Sequence, residues 1–242
     1  MKEKKADKGM KIFSAEITLV DRLFFRHREL DKLVETSRNI HNYALTYSIY
    51  NAIGKPLVNY MSLQDSPTYK SDLQGVKDLG FYITPAKALD ISYTMETTNV
   101  KSEKYTEKMG EDRGKTYPSG HKLKLADIGS KYLAIVFLGK GCEIEFPHNI
   151  RLGKLMSKAK VDWKELDFSK KNGDFEINHP LNPMDLPEDF KEHVKSADYL
   201  RMSPTGLIKN ISVSDHGYYH LNNGDFEITL PTNMEYMEYN EP

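Results

Sequence analysis

Apolar and polar positions alternate along residues 11–20, which predicts a strand with one buried face near the start of the chain. Apolar side chains then recur at helical spacing over residues 40–49. Thr36 or Ser37 can cap this helix, which must end before Gly54. A strand followed by a helix is the opening half of a split βαβ unit.

The second half of the chain has the pattern of a sheet. The clearest strand is the apolar run Lys131–Leu138, and Gly139-Lys140-Gly141 predicts a hairpin turn into a strand over 142–146. Other strands are predicted at 159–168, 207–213 and a hairpin that joins 218–221 to 226–230, and a short acidic helix is predicted at 188–197. The pattern therefore predicts a sheet-dominated α+β fold with a ferredoxin-like βαββ beginning.

Residues 55–130 differ from the rest, because Pro and Gly recur there and periodicity is weak. Such a stretch in a compact domain is typical of a functional loop. We therefore expect a projecting insertion at about 55–130 within a single domain of residues 10–233. The charged residues 1–9 are expected to be a disordered tail, and the acidic residues 234–242 a frayed one.

Composition is that of an ordinary globular protein, with 242 residues, 39% hydrophobic and 29% charged. The longest apolar run, Leu133–Leu138, is too short to cross a bilayer, and the N-terminus lacks the apolar segment of a signal peptide. Cys142 is the only cysteine, so an internal disulfide is impossible. These features predict a cytoplasmic protein with no membrane partner.

A formal net charge of −1 gives the chain no general attraction for polyanions, so nucleic-acid binding would need a local concentration of cations. Residues 151–164 are the best candidate, since they carry several cations and a single acid. Gly153 would let the backbone approach a phosphate, and Trp163 could stack on a base. The alternative is a solvated basic loop that leads into an amphipathic strand, with Trp163 in the core.

The histidines allow two further chemical hypotheses. His216 and His220 are four apart, but the glycine and tyrosines between them favour a strand or turn, so no metal site is expected. His41, with Tyr43 and Tyr47 on the same helix, could belong to a metal-independent ribonuclease that activates a 2′-hydroxyl. The alternative for these three residues is helix packing with satisfied polar groups.

Three passages, taken together and in this order, resemble the RAMP-family subunit of type I-D CRISPR surveillance complexes (Cascade) that caps the 5′ handle of the CRISPR RNA (crRNA). They are Arg28–Thr36 running into His41–Tyr47, then Arg151–Lys160, then His179–Pro183 with Asp185-Leu186-Pro187. The similarity extends from about Met10 to the last hairpin. The first two passages are the specific ones, whereas 55–130 and both termini match loosely or not at all.

The resemblance implies an RRM/ferredoxin-like RAMP fold in which residues 55–130 form a long projecting thumb. It also implies a non-catalytic subunit that caps the crRNA handle and links the large subunit to the backbone filament, with guide processing assigned to a separate protein. No cofactor or metal is implied. The sequence lacks the aromatic RNA-binding signature of an ordinary RRM, so contacts from loops and the thumb are expected instead of stacking on the sheet face.

The residues expected to contact RNA are Arg26, Arg28, Arg38, His41, Arg151, Gly153, Lys154, Lys158 and Lys160. Thumb residues expected to touch guide RNA or target DNA are Lys101, Lys104, Lys122 and Lys124. Two other functions remain open from the sequence: a metal-independent endoribonuclease that processes CRISPR repeat RNA, and a scaffold that contacts only proteins.

Overall fold

The computed structural model describes residues 9–30, 33–58, 67–99, 120–224 and 226–236. Residues 1–8 of the predicted disordered tail therefore lie outside the described part. The helices within it are α1 (Asn42–Ala52), α2 (Tyr69–Asp78) and α3 (Glu188–His193). The strands within it are β1 (Lys11–Leu19), β2 (Arg28–Leu30), β3 (Leu33–Glu35), β4 (Phe81–Ile83), β5 (Lys87–Asp90), β6 (Tyr93–Asn99), β7 (Gly120–Ala126), β8 (Lys131–Leu138), β9 (Asn149–Leu152), β10 (Ser157–Glu165), β11 (Asp167–Ile177), β12 (Val194–Leu200), β13 (Leu207–Asn222) and β14 (Glu227–Pro231).

The central sheet has the strand order β4-β8-β1-β10-β9, and β5 also pairs with β8. Strands β1 and β4 are both antiparallel to β8, so they run parallel to each other on either side of it. Because α1 and α2 lie between β1 and β4 in the chain, this connection has the topology of a split βαβ unit. The predicted α+β, sheet-dominated class is confirmed.

Helix α1 begins later than predicted, and the proposed caps Thr36 and Ser37 are wrong. His41 is the N-cap residue, and its Nδ1 accepts a hydrogen bond from the Tyr43 amide at 3.2 Å. The Thr36 hydroxyl instead accepts from the Phe25 amide at 3.0 Å, and the Ser37 amide donates to His27 Nδ1 at 2.8 Å. Both residues therefore tie the segment before α1 to the segment after β1.

The hairpin predicted after β8 is also wrong, because residues 142–146 form no strand. Phe146 stacks on Trp163 with ring centroids 4.4 Å apart and meets Phe13 edge-on at 4.7 Å. The Trp163 Nε1–H donates to the Pro147 carbonyl oxygen at 2.9 Å. This segment covers aromatic side chains instead of extending the sheet, and Trp163 is partly buried against the core.

The expectation that all of residues 55–130 project from the domain is too broad. Helix α2 buries Leu73 and Val76, β4 is buried throughout, and β5 pairs with β8. Within this region the sequence showed a periodic stretch only at Leu79–Ile83, which contains β4, and so short an apolar run does not by itself distinguish a buried strand from a helix segment. Strands β6 and β7 instead form a separate small sheet of order β2-β3-β7-β6, and the segment between them lies outside the described residues.

The C-terminal sheet has the order β11-β13-β12, with β14 also paired to β13, which confirms the predicted last hairpin. The helix predicted at 188–197 ends at His193, where β12 begins. The predicted frayed tail from 234 is wrong for Tyr236, which is buried, contacts the Thr46 hydroxyl and accepts a hydrogen bond from the Ile83 amide at 3.2 Å. Residues 237–242 lie outside the described part.

Across the described residues, no helix has the length and apolar character needed to span a membrane.

Candidate nucleic-acid interface

A cleft of about 500 Å³ opens where five segments meet. These are the chain after β1, α1 with its N-cap residue, the start of α2, the turn between β9 and β10, and the loop before β13. The lining residues are Phe25, Arg26, His27, His41, Tyr43, Ala44, Tyr47, Ser48, Asn51, Pro67, Tyr69, Arg151, Gly153, Lys154, Met156, Ser203 and Pro204.

The walls of the cleft are aromatic. Phe25 and His27 are stacked, with ring centroids 5.0 Å apart and an interplanar angle of 23°. Tyr43 and Tyr47 project from α1 toward Tyr69, with ring centroids 5.2 and 6.1 Å from it. Burial lowers the pKa of His27 to about 4, so its ring is neutral near pH 7. Neutral aromatic walls suit the stacking of a flat, apolar ring.

Cations line the same cleft. The side chains of Arg26 and Arg151 are 61% and 55% exposed, and Lys154 is also exposed. Arg26 pairs with Glu29, and Arg151 Nη1 lies 4.0 Å from Asp21 Oδ2. Exposed pairs of this kind are weak, so both guanidinium groups can exchange their partners for a ligand anion.

Gly153 holds the turn against the chain after β1. Its φ is +70°, and a Cβ there would overlap the Phe24 carbonyl oxygen and a methyl group of Leu23. The Lys154 amide donates to the same Phe24 oxygen at 2.9 Å. The glycine is therefore explained by this close approach, whereas its predicted contact with phosphate remains a prediction.

The β9–β10 hairpin separates the cations of the predicted basic segment, residues 151–164, into two groups. Arg151 and Lys154 line the cleft, whereas Lys158 and Lys160 alternate with buried residues along β10. Arg151 is paired across the hairpin with Lys158, so these two side chains share a sheet face. Asp162 belongs to the same alternating face, which is therefore of mixed charge.

His41 closes one end of the cleft as a buried residue, with 2% of its surface exposed. Its Nδ1 caps α1, and its Nε2 lies 2.8 Å from the Thr205 hydroxyl oxygen. Burial, which is the largest cause, lowers its pKa to about 3. With both ring nitrogens engaged, His41 is suited to positioning the cleft wall and poorly suited to proton transfer.

The other predicted cations belong to the small sheet. Arg28 is paired with Glu35, which is paired in turn with Lys124. Lys124 Nζ lies 4.2 Å from the centre of the Tyr93 ring and 3.6 Å from Glu35 Oε1. Lys122 is two residues from Lys124 on β7 and therefore shares its face.

Arg38 is also near this sheet, since its charge lowers the pKa of Tyr93 against a larger upward effect of burial. Lys101 and Lys104 lie outside the described residues. The structure therefore places four of the predicted cations, Arg28, Arg38, Lys122 and Lys124, in a second group that is not part of the cleft lining.

The sequence reasoning missed Phe25, Tyr69 and the loop at Ser203–Pro204 as parts of the cleft. These residues are far apart in the chain and have no shared spacing. Only the tertiary fold brings them together, so no sequence signal could have identified them.

The metal hypothesis for His216 and His220 fails on geometry, because both lie on β13. Residues four apart on a strand are about 13 Å apart. His216 Nδ1 contacts the Gly217 carbonyl oxygen at 2.8 Å, and His220 Nδ1 lies 3.4 Å from Glu227 Oε1. No group of His, Cys, Asp and Glu side chains within the described ranges could hold a metal ion.

Fold and cleft together define a sheet-dominated α+β protein with a cleft that has aromatic walls and cations along its lining. The sequence profile of a family described as type I-D CRISPR-associated protein Cas5/Csc1 matches residues 10–239. The chain belongs to this family, and the resemblance identified from its sequence is confirmed.

Two solved structures are similar at low sequence identity. A CRISPR protein from Archaeoglobus fulgidus has a TM-score of 0.44 and 12% identity, covering 91% of this chain and 99% of that chain. A chain of the type III-B Cmr-beta complex bound to cognate target RNA and AMPPnP has a TM-score of 0.47 and 10% identity, covering 83% of this chain and 86% of that chain. None of the curated proteins matches the sequence.

Proposed function

We propose that this protein is the RNA-binding subunit of a type I-D CRISPR surveillance complex that caps the 5′ handle of the crRNA. The main observation behind the proposal is that Arg26, Arg151 and Lys154 line the same aromatic-walled cleft. This local concentration of cations is found in a chain whose net charge is −1. Local cations beside stacking surfaces are the features that bind single-stranded nucleic acid. Membership of the type I-D family supplies the biological setting.

The handle RNA would bind with a base against the Phe25–His27 stack or the tyrosine wall, and with its phosphates on Arg26, Arg151 and Lys154. Lys158 and Lys160 would continue the phosphate contacts along the exposed face of β10. Such contacts depend on backbone charge and base planarity, so they grip RNA without reading much of its sequence. Sequence would then be read by pairing between guide and target.

The finer architecture is part of the same proposal. The split βαβ unit would be the body of a RAMP fold related to the RRM, and the β6–β7 sheet would be the base of the thumb. Its cations Arg28, Arg38, Lys122 and Lys124 would touch guide RNA or target DNA. The protein would work in the cytoplasm and link the large subunit to the backbone filament.

We propose that the subunit is non-catalytic. The endoribonuclease hypothesis requires a histidine that exchanges protons near neutral pH, and His41 is buried with both nitrogens engaged. Incubation of the protein with CRISPR repeat RNA in EDTA should therefore leave the RNA intact. A unique cut that His41→Ala abolishes would make the protein an enzyme instead.

The capping role is tested by co-expressing the tagged protein with its genomic neighbours and a CRISPR array. We expect a discrete guide RNA, the large subunit and filament subunits to co-purify. The variant Arg151→Glu with Lys154→Glu should lose the guide RNA. For any residual binding, the slope of log affinity against log salt should be shallower by about two units, one for each lost phosphate contact.

The matched control is Lys171→Glu with Lys209→Glu, which makes the same change in net charge on exposed positions of the C-terminal sheet. This control should bind guide RNA like the unmodified protein. Equal RNA recovery from both double variants would show that the cleft is not part of the RNA-binding site. Assembly with partner subunits when RNA is absent, together with no retained RNA, would identify a protein-only scaffold.

A further inference from the structure

The turn between β9 and β10 carries two large apolar side chains in solvent. Leu155 is 57% exposed and Met156 is 43% exposed. Met156 lines the cleft beside Arg151 and Lys154, whereas the adjacent Leu155 is not part of the lining. Apolar side chains of this size next to a charged cleft indicate a surface that is covered when a partner is bound.

This turn is fixed on both sides. The Met156 amide donates to the Gly153 carbonyl oxygen at 3.2 Å, and Arg151 Nη1 donates to the Met156 carbonyl oxygen at 3.1 Å. The Lys154 amide is bonded to the Phe24 oxygen. The two apolar side chains are therefore held on a defined backbone and do not depend on a mobile loop for their position.

The backbone of Met156 does not explain why a methionine is there. Its φ is +51°, in the left-handed region that glycine and asparagine adopt more readily. A residue with a large side chain is strained at such a position, and strain of this kind concentrates at functional sites. The exposed side chain itself is thus the feature to be explained.

We infer that Leu155 and Met156 form an apolar wedge between two neighbouring bases of the bound RNA, with one base in the cleft and the next outside it. This inference rests on the proposed function, in which the cleft binds RNA. The neighbouring cations Arg26, Arg151 and Lys154 favour a polyanionic ligand. The acids near the cleft are each paired with one of these arginines, Glu29 with Arg26 and Asp21 with Arg151. The apolar surfaces of a nucleic acid are its bases, and Leu and Met side chains are used elsewhere to separate stacked bases.

The wedge is tested with the full-length protein and short single-stranded oligoadenylates, whose bases stack strongly, that carry one 2-aminopurine, moved through successive positions. Stacking on its neighbours quenches 2-aminopurine, so separation by the wedge should raise its fluorescence at one position on binding. The variant Leu155→Ser with Met156→Ser should lose this rise and bind about tenfold more weakly. Its salt slope should not change, because the phosphate contacts remain.

The matched control is Leu79→Ser, since Leu79 is also 57% exposed but lies after α2 and outside the cleft lining. This control should keep the affinity and the fluorescence rise. Because all three positions are exposed, thermal unfolding should confirm that each variant folds.

Two results would overturn the wedge while leaving the capping role intact: RNA binding with no position of raised fluorescence, or unchanged signal and affinity in the double variant. If the Leu155→Ser, Met156→Ser variant binds RNA normally but no longer co-purifies with another Cascade subunit, the turn contacts a protein and not a base. If the unmodified protein binds RNA neither alone nor in its complex, the proposed function fails and the wedge fails with it.

Discussion

Gly153 illustrates how one residue can determine the shape of the cleft. The chain after β1 passes so close to the β9–β10 turn that no side chain fits at this position. The positive φ of Gly153 and the Lys154 amide bond to Phe24 then fix the direction of the turn. As a result, cations that are more than a hundred residues apart in sequence line one cleft.

We predict that Gly153→Ala destabilises the protein by about 2–4 kcal/mol, because it adds left-handed strain and a steric overlap at one position. Gly141→Ala is the matched control, since its φ is +82° but nothing lies within 4 Å of the added Cβ. That change should cost only about 1–2 kcal/mol. Chemical denaturation measures both, and equal losses would contradict the role given to the close approach.

At the level of secondary structure, the buried carboxylate of Asp185 connects elements that are distant in the chain. It accepts a hydrogen bond from Asn42 Nδ2 of α1 at 2.6 Å and from the Tyr82 hydroxyl of β4 at 3.2 Å. Burial is the main cause of a Tyr82 pKa well above its ordinary value, and Asp185 adds to it. The Pro-rich passage that carried part of the family resemblance thus anchors the start of α1, where the cleft wall begins.

We predict that Asp185→Ala costs about 3 kcal/mol of folding free energy, because it leaves buried donors on Asn42 and Tyr82 without their acceptor. Tyr82→Phe removes only one donor and keeps the ring, so it should cost about 1 kcal/mol. Urea denaturation of the two variants provides the comparison. A loss for Asp185→Ala no larger than that of Tyr82→Phe would show that the carboxylate does not organise this region.

For the molecule as a whole, three histidines join separate segments in their neutral form: His41 and His179 are buried, and His27 is half-buried. His27 accepts from the Ser37 amide, while His41 and His179 contact the hydroxyls of Thr205 and Thr84 at 2.8 Å. Burial, the largest cause in each case, lowers the pKa from 6.5 to about 4 for His27 and to about 3 for His41 and His179. In the folded protein these three imidazoles therefore stay neutral at pH values at which they are protonated in the unfolded chain.

This difference predicts that stability falls as the pH drops from about 6.5 toward about 4, because the unfolded chain binds more protons in that window. Each histidine contributes up to about 1.4 kcal/mol per pH unit. Unfolding free energies measured between about pH 7 and pH 5 should show the decline. His179→Gln, whose side-chain amide can still hydrogen-bond to Thr84, should lower the slope of unfolding free energy against pH by an amount equivalent to about one proton. An unchanged slope would contradict the contribution assigned to His179.

Local patterns in the sequence were enough to predict β1, β8, the last hairpin and the α+β class, because alternation and apolar runs directly reflect which faces are buried. The motifs at Arg28–Thr36 with His41–Tyr47, and at Arg151–Lys160, also carried the family resemblance, and the profile match confirmed the family. The cations of the cleft were among the predicted residues, since Arg26, Arg151 and Lys154 stand in dense basic segments.

Tertiary contacts determined the rest. The start of α1 depends on His41, a cap whose other ring nitrogen is held by Thr205. The three residues of β4 are all buried, and so short an apolar run does not by itself distinguish a strand from a helix segment. Residues 142–146 do not pair as a strand, and Phe146 stacks on Trp163 instead. Tyr236 is held by α1 and β4. Periodicity records only the environment of each residue along its own element, whereas a cleft is formed by segments whose proximity depends on the whole folded chain.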